Sequence, residues 1–293
     1  MKKIRLSLGP VLYYWSRKTL IDFYKKVADA PIDIVYLGET VCSKRRSFNR
    51  QDWLDIAEIL TKTGKSVVLS SLSLVESAGE LSALRALSQQ QYLFEANDFS
   101  AIQNAKGNAF VAGYTINIYN QHSLQYLVEL GLRRWVMPLE LSQQTLHDIL
   151  QYSPAGLETE IFAYGRLPLA SSARCFTARA HNLPKDNCQL KCLDDPDGLL
   201  LKTTEEQDLF ILNGIQTQSA QTFSLLSEIP QLKDLGIDIL RISPQAENTF
   251  QVIELFNQAL QDQQEIISLN QQLEALMPIG ACNGYWHQKA GIL

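Results

Sequence analysis

The sequence predicts an α/β protein built as a closed parallel barrel, and three observations carry that expectation. Short β-like apolar runs alternate with amphipathic helical stretches along the chain. About eight such runs in about 250 residues match a TIM-barrel-like β/α barrel better than an open sheet. The first strand–helix junction, SLGPVLYYWS, lacks the G-x-G-x-x-G fingerprint, and no G-x-x-x-x-G-K-[ST] phosphate loop occurs.

The elements follow in order. A first apolar run at 4–10 precedes a helix with Leu20, Phe23, Tyr24 and Val27 at i, i+3, i+4 and i+7. The run 33–38 leads to a helix around Trp53, Ile56, Ala57 and Leu60, closed near Gly64. The run 66–71 leads to a helix carrying Leu81, Leu84 and Leu87, and 92–96 to a short helix from about Asp98. The run 109–114 precedes a helix with Leu124, Leu127 and Val128, ended by Gly131. The run 134–140 leads to a helix capped by Ser142 and carrying Leu146, Ile149 and Leu150. The seventh run is 158–164.

There the rhythm breaks. Residues 165–208 read as a long loop with three clustered cysteines, an insertion into one barrel domain spanning 1–293. The rhythm returns with LFILNGIQ, a helix near 219–228, IDILRIS at 237–243 and a helix with Phe250, Ile253 and Phe256. A last helix runs from 263 to about Met277.

Composition narrows the function classes. The apolar fraction of 46% excludes a disordered chain. A net charge of −5 argues against a nucleic-acid binder with a broad basic surface, so no nucleic-acid partner is expected. No apolar run approaches the roughly 20 residues of a membrane-spanning helix. Arg5, Ser7 and Pro10 interrupt any signal-peptide core after the first lysines. A soluble cytoplasmic protein is expected.

The chain has five cysteines, an odd count that suits a disulfide framework poorly. Cys175, Cys188 and Cys192 follow a C-x12-C-x3-C spacing. Cys42 lies past the second run, in a loop that a barrel would present on the same face as the cysteine-bearing loop. Four thiolates are a ligand set for an iron–sulfur cluster or for zinc. One close pair with scattered partners favours the cluster over paired zinc knuckles, while unrelated thiols stay open. Lys44, Arg45, Arg46, Arg174, Arg179, Lys185 and Lys191 lie nearby and either offset thiolate charge or simply solvate the loop. Cys282 reads as a packing residue. His181 is a possible alternative donor, though a loop-surface histidine is the simpler reading.

No H-E-x-x-H or G-x-S-x-G motif is present. Polar residues ending the runs are the remaining candidates for binding a polar substrate at a barrel mouth, first among them Glu39, Asn117, Glu140 and Arg166. Asp98 and Asn120 fit helix caps equally well.

Several stretches occur in an order that resembles one family: SLGPVLYYW, VYLGETVCSKRR, VAGYTINIYN, MPLELS, YGRLPLASSARCFTAR, LFILNGIQT, RISPQ and CNGYW. The most specific are GETVCSKRR and RCFTAR-x8-C-x3-C. The chain resembles the UbiV-like ubiquinone-biosynthesis proteins of the collagenase-like peptidase superfamily, nearly end to end. The resemblance implies a TIM-barrel-like fold and one [4Fe–4S] cluster on Cys42, Cys175, Cys188 and Cys192, with Cys282 outside the set. It implies a heterodimer with a homologous UbiU-like subunit that carries its own cluster, and a UbiT-like lipid-binding protein. The activity implied is oxygen-independent hydroxylation of the ubiquinone ring precursor, with prephenate as proposed oxygen donor. Two other classes remain: a zinc-stapled scaffold without chemistry, and a peptidase, which rests on the superfamily's name.

Overall fold

Each apolar run is short enough to cross a barrel wall once, and a helix with one apolar face returns the chain for the next crossing. The computed structural model describes residues 3–105, 107–262 and 265–291. Strand β1 (Arg5–Leu8) leads to helix α1 (Arg17–Asp29), β2 (Ile34–Leu37) to α2 (Arg50–Lys62), and β3 (Ser66–Ser70) to α3 (Ala78–Ser88). β4 (Leu93–Ala96) precedes α4 (Phe99–Asn104), β5 (Phe110–Ala112) precedes α5 (Gln121–Glu129), and β6 (Leu132–Val136) precedes α6 (Gln143–Leu150). The long β7 (Glu158–Ser171) ends near α7 (Phe176–Ala180), followed by β8 (Leu199–Lys202), β9 (Asp208–Asn213) and β10 (Gln216–Ser224). Then come α8 (Ile229–Asp234), β11 (Ile239–Ile242), α9 (Thr249–Gln261), α10 (Ile266–Glu274) and β12 (Ala281–Cys282).

Strands β1 to β7 pair in parallel in chain order, and β11 fits between β7 and β1 to close an eight-stranded barrel. The helices begin where the sequence supplies oxygen caps. Ser16, Asn49, Ser77, Asp98, Asn120 and Ser142 each accept a backbone N–H of the first turn.

The period of two along each strand divides its side chains between two environments. Leu6, Leu8, Val35, Leu37 and Leu69 point outward into the main core beneath the helices, against Leu20, Tyr24, Val27, Ala57 and Leu60. Ile34, Tyr36, Val68, Val111, Val136 and Ile239 form a separate, fully buried cluster on the inner face. Burying each such aliphatic side chain contributes about 1.5–3 kcal/mol.

Two expectations fail beyond the seventh strand. Residues 165–208 are not one loop: β7 continues to Ser171, and α7, two 3-10 turns and β8 follow. The helix expected near 219–228 does not form, because Gln216–Ser224 is β10, antiparallel to both β7 and β9. LFILN is accordingly β9 of this added sheet and not a barrel strand. The cause is legible afterwards: β10 buries Gln216, Gln218, Ser219, Thr222 and Ser224, so its inward residues are polar and no apolar alternation marks the strand. Register shifts at Thr217/Gln218 and Gln218/Thr222 break the period further. Among the described residues no helix is long and apolar enough to cross a membrane.

Candidate functional site

Inside the barrel, at the level of Val136 and Ile239 of the apolar cluster, sits a buried network of charges. Arg241 on β11 reaches Glu160 of β7 through Nε at 2.7 Å and Glu95 of β4 through Nη1 at 2.8 Å. Glu160 also accepts from Ser7 Oγ at 2.6 Å and from Tyr36 Oη, and Arg134 Nη1 lies 3.7 Å away. Glu95 accepts from Ser70 Oγ at 2.7 Å and Asn97 Nδ2 at 3.2 Å. The Arg241 guanidinium lies over the Tyr36 ring, 3.9 Å from its centroid. Burial pushes the Glu160 carboxyl upward, but Arg241 and Arg134 outweigh it and hold the group below its ordinary range. Glu160 therefore stays ionised, and the network plugs the lumen.

The cysteines lie on two segments. Cys42 is in the loop after β2, where Glu39 Oε1 accepts from the N–H groups of Val41 at 2.9 Å and Cys42 at 3.0 Å. Cys175 is the N-cap of α7, its Sγ accepting from Ala178 N at 3.4 Å. Cys188 closes the 3-10 turn Lys185–Asn187, and Cys192 lies in the turn Lys191–Leu193. All four are half-buried. Cys42 and Cys175 pack against one small apolar cluster of Leu12, Val41 and Ile215. Electrostatic interactions run from Cys42 to Cys175 and Cys192, and from Cys175 to Cys188 and Cys192. Burial pushes the thiols of Cys42, Cys175 and Cys192 up, and the charge of Arg45 pulls each of them back. Among the described residues no three His, Cys, Asp or Glu side chains form a tight group that could hold a metal ion. His181 is exposed.

The four polar candidates do not meet at one point. Glu39 belongs to the Cys42 loop, where burial raises its carboxyl and Arg45 opposes the shift from 3.9 Å. Arg166, on the extension of β7, donates to Asp197 O at 2.6 Å and interacts with Tyr13. Asn117 and Glu140 are both exposed and share Tyr119 Oη, which hydrogen-bonds to each. Asp98 and Asn120 are helix caps.

Sequence reasoning missed the relay that joins these parts. Arg45 Nη2 donates to Asn213 Oδ1 at 2.7 Å, and Asn213 Nδ2 reaches Gln216 Oε1 at 3.4 Å. Gln218 Nε2 donates to the same Gln216 oxygen at 2.8 Å and its own Oε1 accepts from Tyr13 Oη at 3.0 Å. These amides are buried at the end of β9 and on β10, so their hydrogen bonds are the condition for their being there. The available signal was a polar run, QTQSAQT, beside an apolar one. For the lumen the signal was Arg241 inside IDILRIS and Glu160 inside ETEIFAY, charges that no apolar strand interior keeps unpaired.

Cys282 stands apart. It is buried in the main core on β12, and burial alone pushes its thiol up to about 11. His287 faces Glu228 Oε1 at 3.3 Å, so it has a carboxylate neighbour of its own. Cys282→Ala is expected to cost about 1 kcal/mol of stability and to leave the metal content of the purified chain unchanged, as checked by denaturant unfolding and metal analysis. A drop in bound metal would place Cys282 among the ligands.

Solved structures that align with this chain include the U32 peptidase Mk0906, at 11% identity and TM-score 0.47, covering 84% of this chain and 94% of that one. Dihydropteroate synthase from Thermus thermophilus in complex with 6HMPPP aligns at 10% identity and TM-score 0.43, over 87% of this chain and 94% of that one. The spore cortex-lytic enzyme SleL of Bacillus cereus aligns at 11% identity and TM-score 0.37, over 85% and 74%. The sequence pattern of Peptidase family U32 matches residues 16–292. That match spans nearly the whole barrel and both cysteine segments, and the chain belongs to peptidase family U32.

Proposed function

We propose that this chain is the iron–sulfur subunit of an oxygen-independent hydroxylase in anaerobic ubiquinone biosynthesis. In this reading it hydroxylates the aromatic ring precursor together with a homologous UbiU-like subunit, with a UbiT-like lipid-binding protein as a further partner. The supporting observation is that four half-buried thiols lie on two distant segments whose Cys42 and Cys175 pack on one apolar cluster, with the buried Arg45 in the Cys42 turn. A donor set of four sulfurs beside a buried cation, whose Nε has no hydrogen-bond partner, fits an anionic thiolate-bound cluster. Cys42, Cys175, Cys188 and Cys192 are the residues that would hold a [4Fe–4S] cluster, with 165–208 as its insertion. Such a cluster supplies one-electron transfer when bound.

The chain's own residues have separate tasks in this reading. Glu39 shapes the loop that presents Cys42, through the two N–H groups it accepts. Asn213, Gln216 and Gln218 hold the wall between the thiols and Tyr13 in one hydrogen-bonded order. The Glu95–Arg241–Glu160 network fills the lumen below, so a substrate would approach from the mouth above it. A proteolytic reading has less support, because the remaining thiol, Cys282, is buried and raised to about 11, the reverse of an activated nucleophile.

Anaerobic purification, alone and with the UbiU-like partner, tests the reading. About four irons and matching sulfide per chain, with a brown absorption band, are expected, together with conversion of quinone precursors in the co-expressing strain. One zinc per chain without colour, or no iron after anaerobic reconstitution, would sink it.

A further inference from the structure

We propose that Arg45 is a positioning residue for the cysteine-held group, setting its reduction potential through a buried guanidinium fixed by the turn that carries Cys42. The proposal rests on the reading that Cys42, Cys175, Cys188 and Cys192 hold an iron–sulfur cluster.

Arg45 follows Cys42 by three residues, and its N–H donates to Cys42 O at 3.0 Å in a tight turn. That turn folds the side chain inward, where it is 1% exposed. Two donors are spent on fixing it: Nη1 on Leu12 O at 2.7 Å and Nη2 on Asn213 Oδ1 at 2.7 Å. Nε is buried without a hydrogen-bond partner. The carboxylate beside it is Glu39, 3.9 Å away, whose near oxygen is already taken by the Val41 and Cys42 N–H groups. A buried guanidinium is costly unless negative charge offsets it, and here its electrostatic interactions extend to Cys42, Cys175 and Cys192.

The three lysines flanking the cysteines are engaged elsewhere, and Arg46, Arg174 and Arg179 are exposed. Lys44 bonds Lys185 O and Asp186, Lys185 bonds Glu76 and Ala173 O, and Lys191 bonds Asp194. The β9–β10 turn is shaped for the guanidinium. Gly214 has φ +67°, and a Cβ there would stand 2.8 Å from Arg45 Nη2. Gly214 O also accepts from Phe176 N at 2.9 Å, at the start of the helix that Cys175 caps. One turn therefore fixes the cation and seats the second cysteine segment.

A fixed positive charge and an N–H donor near thiolate sulfur favour the reduced, more negative state of a bound cluster. Arg45→Gln removes the charge at similar length. Spectroelectrochemical titration of the anaerobically purified full chain should show at least a tenfold loss in the one-electron reduction constant, a shift of about 59 mV to more negative potential. Asn213→Ala keeps the charge but frees one arm of the fork, and should shift the potential the same way by less. A cluster at wild-type potential in Arg45→Gln overturns the proposal. Should Arg45→Gln fail to fold, Asn213→Ala decides: a shifted potential supports the proposal and an unshifted one overturns it. Wild-type chain without a cluster would instead remove the reading beneath it, before any variant is compared.

Discussion

Arg241→Met is expected to destabilise the chain by about 3–5 kcal/mol, the usual cost of stranding buried partners of an ion pair. The reason lies in the count of charges around one side chain. Arg241 touches Glu95 at 2.8 Å and Glu160 at 2.7 Å, and both carboxylates are at most 1% exposed. Removing the guanidinium leaves two like charges in the lumen with Arg134 as the other cation in reach, 3.7 Å from Glu160. Methionine restores volume, so the loss reports charge more than cavity. At about 2–4 °C per kcal/mol for larger domains, thermal unfolding should shift down by roughly 6–20 °C. A shift under about 2 °C would mean that the network relaxes by taking up protons or water.

The same network gives stability a pH dependence of definite sign. The folded-state carboxyl of Glu160 is held below its ordinary range by Arg241 and Arg134 against the upward push of burial. Its contribution is thus complete above the unfolded value, near 4.3, and is lost as pH falls through the folded value. Glu160→Gln keeps the shape and removes this titration. The stability gap between wild type and Glu160→Gln should narrow as pH is lowered from 7 towards 3, in urea unfolding at each pH. A gap that stays constant over that range would show that Glu160 is not the group that titrates.

The barrel was legible because its outward face carries a clean signal. Leu20, Phe23, Tyr24 and Val27 on α1 are the buried residues of that helix, as their spacing predicts. The added sheet was not legible, since β10 buries glutamine, serine and threonine, and its meaning depends on partners that arrive from Leu12, Tyr13 and Arg45. At the site, Glu39 and Arg45 were visible as residues near Cys42, but not their tasks. Asn117 and Glu140 do not end strands but lie in the loops after β5 and β6, exposed beside Tyr119, because an apolar run fixes the strand and leaves the direction of later side chains to the loop. Sequence distance also hid the relay, whose hydrogen bonds join residues 201 and 205 positions apart.

Cys192→Ala is expected to remove the bound iron almost completely and to release only part of the segment that carries it. The ends of that segment are anchored without any cluster. Phe176 N bonds Gly214 O at 2.9 Å, Thr177 Oγ1 accepts from Gly214 N at 2.8 Å, and Trp15 Nε1 donates to Pro196 O at 2.7 Å. Asp197 is held from both sides, its carbonyl by Arg166 and its carboxylate by Ala246 N. Between these anchors, none of residues 181–194 is buried, and Asn182, Gln189 and Leu190 take positive φ. Few buried contacts and strained backbone mark a region of low local stability. Lys44, bonded to Lys185 O at 2.7 Å, is an exposed-edge tie that adds little by itself. A cluster would be the main constraint there, since metal binding couples directly to the order of the loops that supply the ligands. Hydrogen exchange of the anaerobic protein should therefore show 181–194 protected in wild type and open in Cys192→Ala, with 176–180 and 196–202 unchanged in both. Cys282→Ala should behave as wild type. Equal protection of 181–194 in wild type and Cys192→Ala, with iron bound only to the former, would mean that the protein alone orders this segment and that the cluster sits on a site already built.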